Sequence, residues 1–435
     1  MTGVHSSALL TDRYEVTMVQ AALRSGAAGR RCVFEVFTRR LPDGRRYGVV
    51  AGTGRLLDEL LSFRFTGDDI AALARDRVVD DEMLHWLADY RFSGDVWGYG
   101  EGECYLPGSP VLTVESTFAE AVLLETLVLS VLNHDSAVAA AASRMTAAAG
   151  DRPCVEMGSR RTHEESAVAA ARAAYLTGFA STSNLAAGAR YGIPTIGTAA
   201  HAFTLVHDDE VAAFTAQVAT MGSGTTLLVD TFDVTAGVAA AVKMAGPELG
   251  AVRLDSGDLL EQATIVRAQL DELGASKTRI IVTSDLDEFA IAALAVAPVD
   301  AYGVGTQLVV GSGAPTAGMV YKLVAREDSS GQLQEVAKRS DGKAGVGGRK
   351  WAVRTVDDSG LAIQETLGVG TRVPEHVTGR RLQRHLVAEG EVIGAEPLSD
   401  ARERHAASLA ELPASARQLS RGEPAIPTVL DTPLG

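Results

Sequence analysis

The sequence predicts an α/β protein built on an irregular, incomplete (β/α) barrel of about seven strands, and three observations carry that expectation. Short apolar runs follow one another from Cys154: CVEMGSRR, GFASTSN, PTIGTAAH, TTLLVDT, AVRLDSGD, IIVTSD and AYGVGTQ. Segments of helical composition such as HEESAVAAARAAYLTG and LLEQATIVRAQLDELG separate them, so strand and helix alternate every ~20 to 30 residues, as parallel βα units require. The runs end in groups able to do chemistry: Arg160, Ser183, His201, Asp230, Arg253, Asp255, Ser284, Asp285 and Gly305. In such folds reacting groups sit at the C-terminal ends of strands, which points to an enzyme.

Around this barrel, expected over 126–320, the sequence places an N-terminal α+β domain over 1–125 and a small β-rich region with a helical tail over 321–435, packing on the N-terminal domain. Asp12 followed by Glu15 suits a capping box opening a helix that runs through Leu23 and stops at Gly26, with Tyr14 on its first turn. CVFEVFTRR and RRYGVVAG flank the turn Leu41-Pro-Asp-Gly44, which predicts a β-hairpin or a connected strand pair. Short helices are expected from about Gly54 to Ser62 and from Asp80 to Tyr90. Gly98, Gly100, Gly102, Pro107 and Pro110 then mark short strands joined by tight turns, and from Phe118 to Gly150 one long or broken helix leads into the βα series. After Thr306 the pattern changes to MVYKLVA, QEVAKRS and KWAVRTV, with the Gly-rich loop SDGKAGVGGRK between the last two; a final helix is expected around Ala401 to Leu412.

Bulk composition narrows the functional classes. A chain of 435 residues with a net charge of -15 repels polyanions, so neither nucleic acid nor an anionic membrane is an expected partner. The N-terminus has no basic start followed by an apolar core, and the most apolar stretch, FAEAVLLETLVLSVL, is broken by Glu120 and Glu125, so a buried helix is expected there rather than a membrane span. Cys32, Cys104 and Cys154 are widely spaced with no CxxC pair, which suits reduced thiols in the cytoplasm.

His201, just past the strand PTIGT, has the position and chemistry of a general base, phosphate partner or nucleophile, against the plain reading of a structural histidine. Arg253 and Asp255 alternate out of one apolar strand and so share a face at its end. The arginine matches a carboxylate or phosphate and the aspartate matches ribose hydroxyls or a metal; a structural ion pair with a cap from Asp258 is the competing reading. Ser284 and Asp285, then Gly303, Gly305 and Thr306, follow the last two strands, where glycine lets backbone N–H groups approach phosphate, although a simple turn would need the same residues. Four of the six lysines, Lys322, Lys338, Lys343 and Lys350, fall between 322 and 350, where a Gly-rich loop could cover a polyphosphate or simply be solvated. No Walker motif is present. Of Arg160 and Arg161, adjacent and pointing apart, one is expected to face the pocket.

The strings TDRYEVTM, FTRRLP, PVLTVEST to LLETLVLSVLN, EMGSRRTHE, GFASTSNLAAGARYGIP, GTAAHAF, VRLDSGDL, GVGTQL and VYKLVA together resemble nicotinate phosphoribosyltransferase, of the type II phosphoribosyltransferase fold, in order from about residue 8 to about 355. The resemblance implies formation of nicotinate mononucleotide and pyrophosphate from nicotinate and phosphoribosyl pyrophosphate, with Mg²⁺, in NAD salvage. It also implies coupling to ATP hydrolysis through a phosphohistidine at His201, and a homodimer in which Tyr14 stacks on the pyridine across the subunit interface. Arg160, Arg253 and Asp255 match substrate and ribose contacts, while Ser284, Asp285, Gly303, Gly305 and Thr306 match the 5′-phosphate and ribose cradle. Arg39, Arg40 and the Lys343 region would meet pyrophosphate. Ser183 stands where nicotinamide-using relatives carry an acidic residue, which favours a carboxylate substrate, and Met157 stands where relatives often place an aromatic ring. Quinolinate phosphoribosyltransferase would want more cations around the pyridine, Ser183 disfavours nicotinamide, and a non-catalytic phosphoribosyl-binding regulator would not need His201, Arg253 and Asp255 together.

Overall fold

The computed structural model describes residues 6–338 and 345–431, which places Lys343 outside the described residues. The chain divides into two compact units, Met1–Ala137 with Thr316–Gly435, and Val138–Pro315.

The unit over 138–315 is the predicted α/β core. Its strands are β1 (Cys154–Glu156), β2 (Ser181–Thr182), β3 (Thr226–Leu228), β4 (Ala251–Leu254), β5 (Arg279–Ser284) and β6 (Ala301–Val304), in an open six-stranded sheet of order β2-β1-β6-β5-β4-β3. All adjacent pairs are parallel. Val252, Leu254, Ile280, Val282, Tyr302 and Val304, which the register places on one face of the sheet, have no solvent exposure, whereas Arg253 and Ile281 on the other face are half-buried; this is why these strands read as nearly unbroken apolar runs. Loops leaving the strand ends turn into helices through acidic or amide caps: Asn184, Asp233, Asp258 and Asp287 each accept backbone N–H groups at a helix start.

The sheet has six strands where the sequence suggested about seven, and the difference lies at PTIGTAAH. There only Thr195 bridges Thr182, held by Thr182 N–H to Pro194 O and Ile196 N–H to Thr182 O, each 3.0 Å. Residues 194–197 are exposed, so no apolar burial extends the pairing, and Pro194 supplies no backbone donor.

The other unit holds a seven-stranded antiparallel sheet in the order Leu333–Glu335, Met319–Glu327, Arg31–Thr38, Leu112–Thr117, Asp95–Tyr99, Gln383–Ala388 and Glu391–Val392. A four-stranded sheet joins Arg380–Arg381, Lys350–Val356, Ala362–Val369 and Thr428–Asp431. The expected hairpin around Leu41–Gly44 does not form. Both edges of Arg31–Thr38 are taken by Met319–Glu327 and Leu112–Thr117, while Gly48–Val49 pairs separately with Cys104–Tyr105. Apolar packing decides this choice: Phe34 stacks on Tyr321 with ring centroids 4.8 Å apart.

Helix Arg13–Ser25 follows Asp12 and ends at a left-handed Gly26 as expected, but no capping box closes it. Glu15 is instead fully buried, accepting from Thr11 Oγ1, Thr126 Oγ1 and Thr126 N. The apolar segment Phe118–Ala149 is long enough to cross a membrane by composition, yet it is two helices, Phe118–Val122 and Glu125–Ala149, and 67% of its most apolar window is buried.

Candidate active site

Within the 138–315 unit the strand ends bring most of the singled-out residues into one region. Arg253 and Asp255 leave the end of β4 with the i, i+2 relation that puts both on one face. They are not joined as a structural ion pair among the described residues. Arg253 Nη1 donates to Thr198 Oγ1 at 2.8 Å, and its Nε is buried without a partner. Burial lowers the affinity of this guanidinium for its proton, Asp255 and Asp230 oppose that effect, and Arg160 adds to it by repulsion. Arg160 is therefore the arginine of the adjacent pair whose charge reaches Arg253. Asp258 does cap the next helix, so the structural part of the competing reading holds for that residue alone.

Asp255 is oriented from two sides. Thr283 Oγ1, on neighbouring β5, donates to its Oδ1, and its backbone N–H donates to Asp230 Oδ2 at 2.8 Å. Ser256 Oγ donates to the same Asp230 oxygen at 2.7 Å, whereas Asp230 Oδ1 is buried without a partner. His201 opens the helix His201–Leu205; its Nδ1 lies 3.1 Å from Thr231 Oγ1 and its Nε2 4.0 Å from Asp255 Oδ2. Histidine and aspartate side chains are each about two-fifths exposed, at 40% and 41%, so a ligand can reach both.

The ends of β5 and β6 form a tight backbone cradle. Ser284 adopts φ +152°, a conformation L side chains rarely take, and strain of about 1–3 kcal/mol of this kind gathers at functional sites. Asp285 Oδ1 accepts from Thr306 Oγ1 at 3.1 Å, tying the two strand ends together. Gly303 is required by space, since a Cβ there would lie 2.4 Å from Thr283 Cγ2 and 2.8 Å from Met157 Sδ. Met157 thus packs beside the cradle from the end of β1. Ser183 follows β2 and is exposed, its N–H donating to Glu156 O at 2.9 Å.

Of the remaining predicted site residues, Tyr14, Arg39 and Arg40 belong to the other unit. Arg39 and Arg40 are exposed, and Tyr14 is 48% exposed with its hydroxyl pushed up to about 12 by partial burial and by Glu125 and Glu15. Sequence reasoning passed over the hydroxyl residues Thr198, Thr231 and Thr283, which hold Arg253, His201 and Asp255. Alternation in IIVTSD does contain one signal, because Thr283 and Asp285 share a face. It also passed over Glu156, fully buried and fixed by Thr182 Oγ1 and Gly158 N–H, whose carboxyl burial pushes up against those two bonds.

Comparison with known proteins bears directly on this arrangement. The chain matches the family model for the nicotinate phosphoribosyltransferase N-terminal domain over residues 9–133 and that of the nicotinate phosphoribosyltransferase family over 153–343. It is 57% identical over 429 residues to the nicotinate phosphoribosyltransferase pncB1 of Mycobacterium tuberculosis, covering 97% of this chain and 94% of that one. It is 36% identical over 366 residues to a Bacillus subtilis nicotinate phosphoribosyltransferase, covering 81% and 74%. Among solved structures, human nicotinic acid phosphoribosyltransferase superposes with a TM-score of 0.80 at 26% identity, over 97% of each chain.

Proposed function

The chain belongs to the nicotinate phosphoribosyltransferase family, and from that premise we propose how its strand-end site joins nicotinate to phosphoribosyl pyrophosphate. The activity is nicotinate phosphoribosyl transfer, a step of NAD salvage. One observation carries the assignment of the site: a half-buried arginine whose Nε is buried without a partner, beside an oriented carboxylate at the end of one strand.

In this reading Arg253, aided by Arg160, takes the nicotinate carboxylate, which a guanidinium matches with two parallel hydrogen bonds. Ser183, neutral and exposed, does not repel that carboxylate, and Met157 covers one pyridine face. Ser284, Asp285, Gly303, Gly305 and Thr306 hold the 5′-phosphate and ribose, with Asp255 on the ribose hydroxyls. The pyridine nitrogen lone pair forms the bond to C1 of the ribose as the C1–O bond to pyrophosphate breaks. No proton has to move, so the protein contributes positioning and charge neutralisation around an oxocarbenium-like transition state.

Among the described residues no group of three His, Cys, Asp or Glu forms a metal cage, but Asp230 Oδ1 is a buried carboxylate oxygen lacking a partner. That fits Mg²⁺, which Asp230 and Asp255 would hold together with the substrate phosphates. Bound there, it would neutralise charge on the departing pyrophosphate.

ATP enters through His201. With its ring proton on Nδ1 facing Thr231, Nε2 carries the lone pair that attacks the γ-phosphorus; the N–P bond forms, the bridging P–O bond breaks and ADP leaves. Hydrolysis of the phosphohistidine returns the enzyme. We further read the enzyme as a cytoplasmic homodimer in which the partner subunit's Tyr14 stacks on the pyridine, and in which Arg39, Arg40 and the Lys343 region reach pyrophosphate; the exposure of Tyr14, Arg39 and Arg40 supports this.

The test is nucleotide formation from nicotinate, nicotinamide or quinolinate with phosphoribosyl pyrophosphate and Mg²⁺. Turnover of nicotinate well above the other two is expected, and preferential turnover of nicotinamide or quinolinate would refute the roles given to Arg253 and Ser183.

A further inference from the structure

The unit built from 1–137 and 316–435 carries a cleft of about 590 Å³ that no step above uses. It lies where residues of the seven-stranded sheet meet the strand Lys350–Val356 and the segment Thr371–Val373. Its wall is a preformed aromatic stack. Trp97 and His385 face each other in register on neighbouring strands, with centroids 4.0 Å apart and planes within 2°. Arg349 sets its guanidinium 5.2 Å from the Trp97 ring centroid. Each member is fixed from behind: His385 Nε2 lies 3.1 Å from Asp95 Oδ1, and Arg349 Nε donates to Glu115. A planar ring extending this stack would find it already ordered, which removes much of the entropic cost of binding.

Charge supplies the second half of the argument. In this unit Arg349, Arg354, Arg380, Arg384 and Arg404 are all paired with glutamates. Arg372 and Arg381, which also line the cleft, are exposed and have no ion pair among the described residues. In a chain of net charge -15, two uncompensated guanidiniums beside an aromatic wall form a local anion site. Asp95 uses Oδ1 for His385 and Glu389 N–H, leaving Oδ2 to accept from a sugar hydroxyl. Volume, stacking wall, two uncompensated cations and a hydroxyl acceptor together describe one ligand class.

We propose that this cleft is a nucleotide-binding site separate from the transferase site, with the base on the Trp97–His385 stack and the phosphates on Arg372 and Arg381. The chain has three tryptophans, and Trp97 and Trp351 both line the cleft, so intrinsic fluorescence reports its occupancy. ADP, which carries no γ-phosphate for His201, is the probe, titrated against the wild-type protein, Arg253→Ala and the double variant Arg372→Ala/Arg381→Ala. Saturable quenching is expected equally in wild type and Arg253→Ala, with an apparent Kd at least about tenfold weaker in the double variant. The double variant should keep its melting temperature and its nicotinate turnover without ADP, since both side chains are exposed. Quenching lost in Arg253→Ala or retained in the double variant would place ADP in the transferase site and overturn the proposal. Equal competition by pyrophosphate would also overturn it, reducing the cleft to a simple anion subsite.

Discussion

Arg354, fully buried, and Arg253, half-buried, lie one in each unit and are treated in opposite ways. Arg354 has no exposed surface; its Nη1 donates to Glu103 at 2.7 Å, and its Nη2 donates to Glu365 at 2.9 Å and to Cys104 O at 2.6 Å. Burial opposes its charge, but Glu365 and Glu103 more than offset that and raise its proton affinity. Arg380 extends the same network, donating to Glu103 and to Glu411, each at 2.7 Å. Arg253, only half-buried, has one hydroxyl as its side-chain hydrogen-bond partner and, among the described residues, no ion pair to offset its burial, and its proton affinity falls. Each has a buried Nε without a partner, so the contrast is one of charge: Arg354 is neutralised by carboxylates and holds the fold together, whereas Arg253 is held by one hydroxyl and, on the proposed function, serves the substrate.

The largest test of that contrast is Arg253→Ala. On the proposed role of Arg253 in gripping the nicotinate carboxylate, its removal should lower kcat/KM for nicotinate by about 10²- to 10³-fold, with little change in urea unfolding because no structural carboxylate is stranded. Arg253→Lys should recover little, since an ammonium cannot grip a carboxylate with two parallel bonds. Arg354→Ala should reverse the pattern. It leaves Glu103 and Glu365 buried and underpaired, costing about 3–5 kcal/mol in urea unfolding, while the folded fraction turns over normally.

A smaller effect sharpens the comparison inside the site. Thr283→Val keeps the shape but removes the hydroxyl that orients Asp255, so kcat/KM should fall by about tenfold, or about 1.4 kcal/mol, with stability nearly unchanged. An unchanged rate would show that Asp230 alone sets the position of Asp255. An effect on stability alone, outside the site, belongs to Glu15, whose carboxyl is pushed from 4.5 up to about 7, mainly by burial, against hydrogen bonds from Thr11 and Thr126. Between those values the unfolded chain releases the proton that the folded one keeps, so stability is fully present below 4.5 and is lost as pH rises through 7. Glu15→Gln cannot ionise, so its melting temperature should gain on wild type as pH is raised from about 5 to about 8. A constant difference across that range would remove Glu15 from the account.

The strand-end positions of the candidate site residues were legible in the sequence for a physical reason. Mostly buried parallel strands read as apolar runs, and a polar residue interrupting such a run, as Arg253 interrupts AVRL, stands out as a candidate for chemistry or pairing. PTIGT misled because its apolar residues imitate a strand, while only tertiary structure reveals that residues 194–197 lie in solvent. The hairpin expectation failed for a related reason. Val36 pairs with Tyr321, a partner far along the chain, and local turn chemistry at Leu41–Gly44 carries no information about that pairing. Capping at Glu15 was misread because a capping-box glutamate and a buried glutamate tied to Thr126 look identical until the second helix is in place. Thr198, Thr231 and Thr283 were overlooked because isolated threonines in strands and loops have many ordinary uses.

The most direct test of the account is the rate of nicotinate mononucleotide formation with and without ATP, in wild type and in His201→Ala. Wild type should be accelerated by ATP, and His201→Ala should keep an ATP-independent rate with the acceleration gone. Full ATP stimulation in His201→Ala would contradict the coupling through His201.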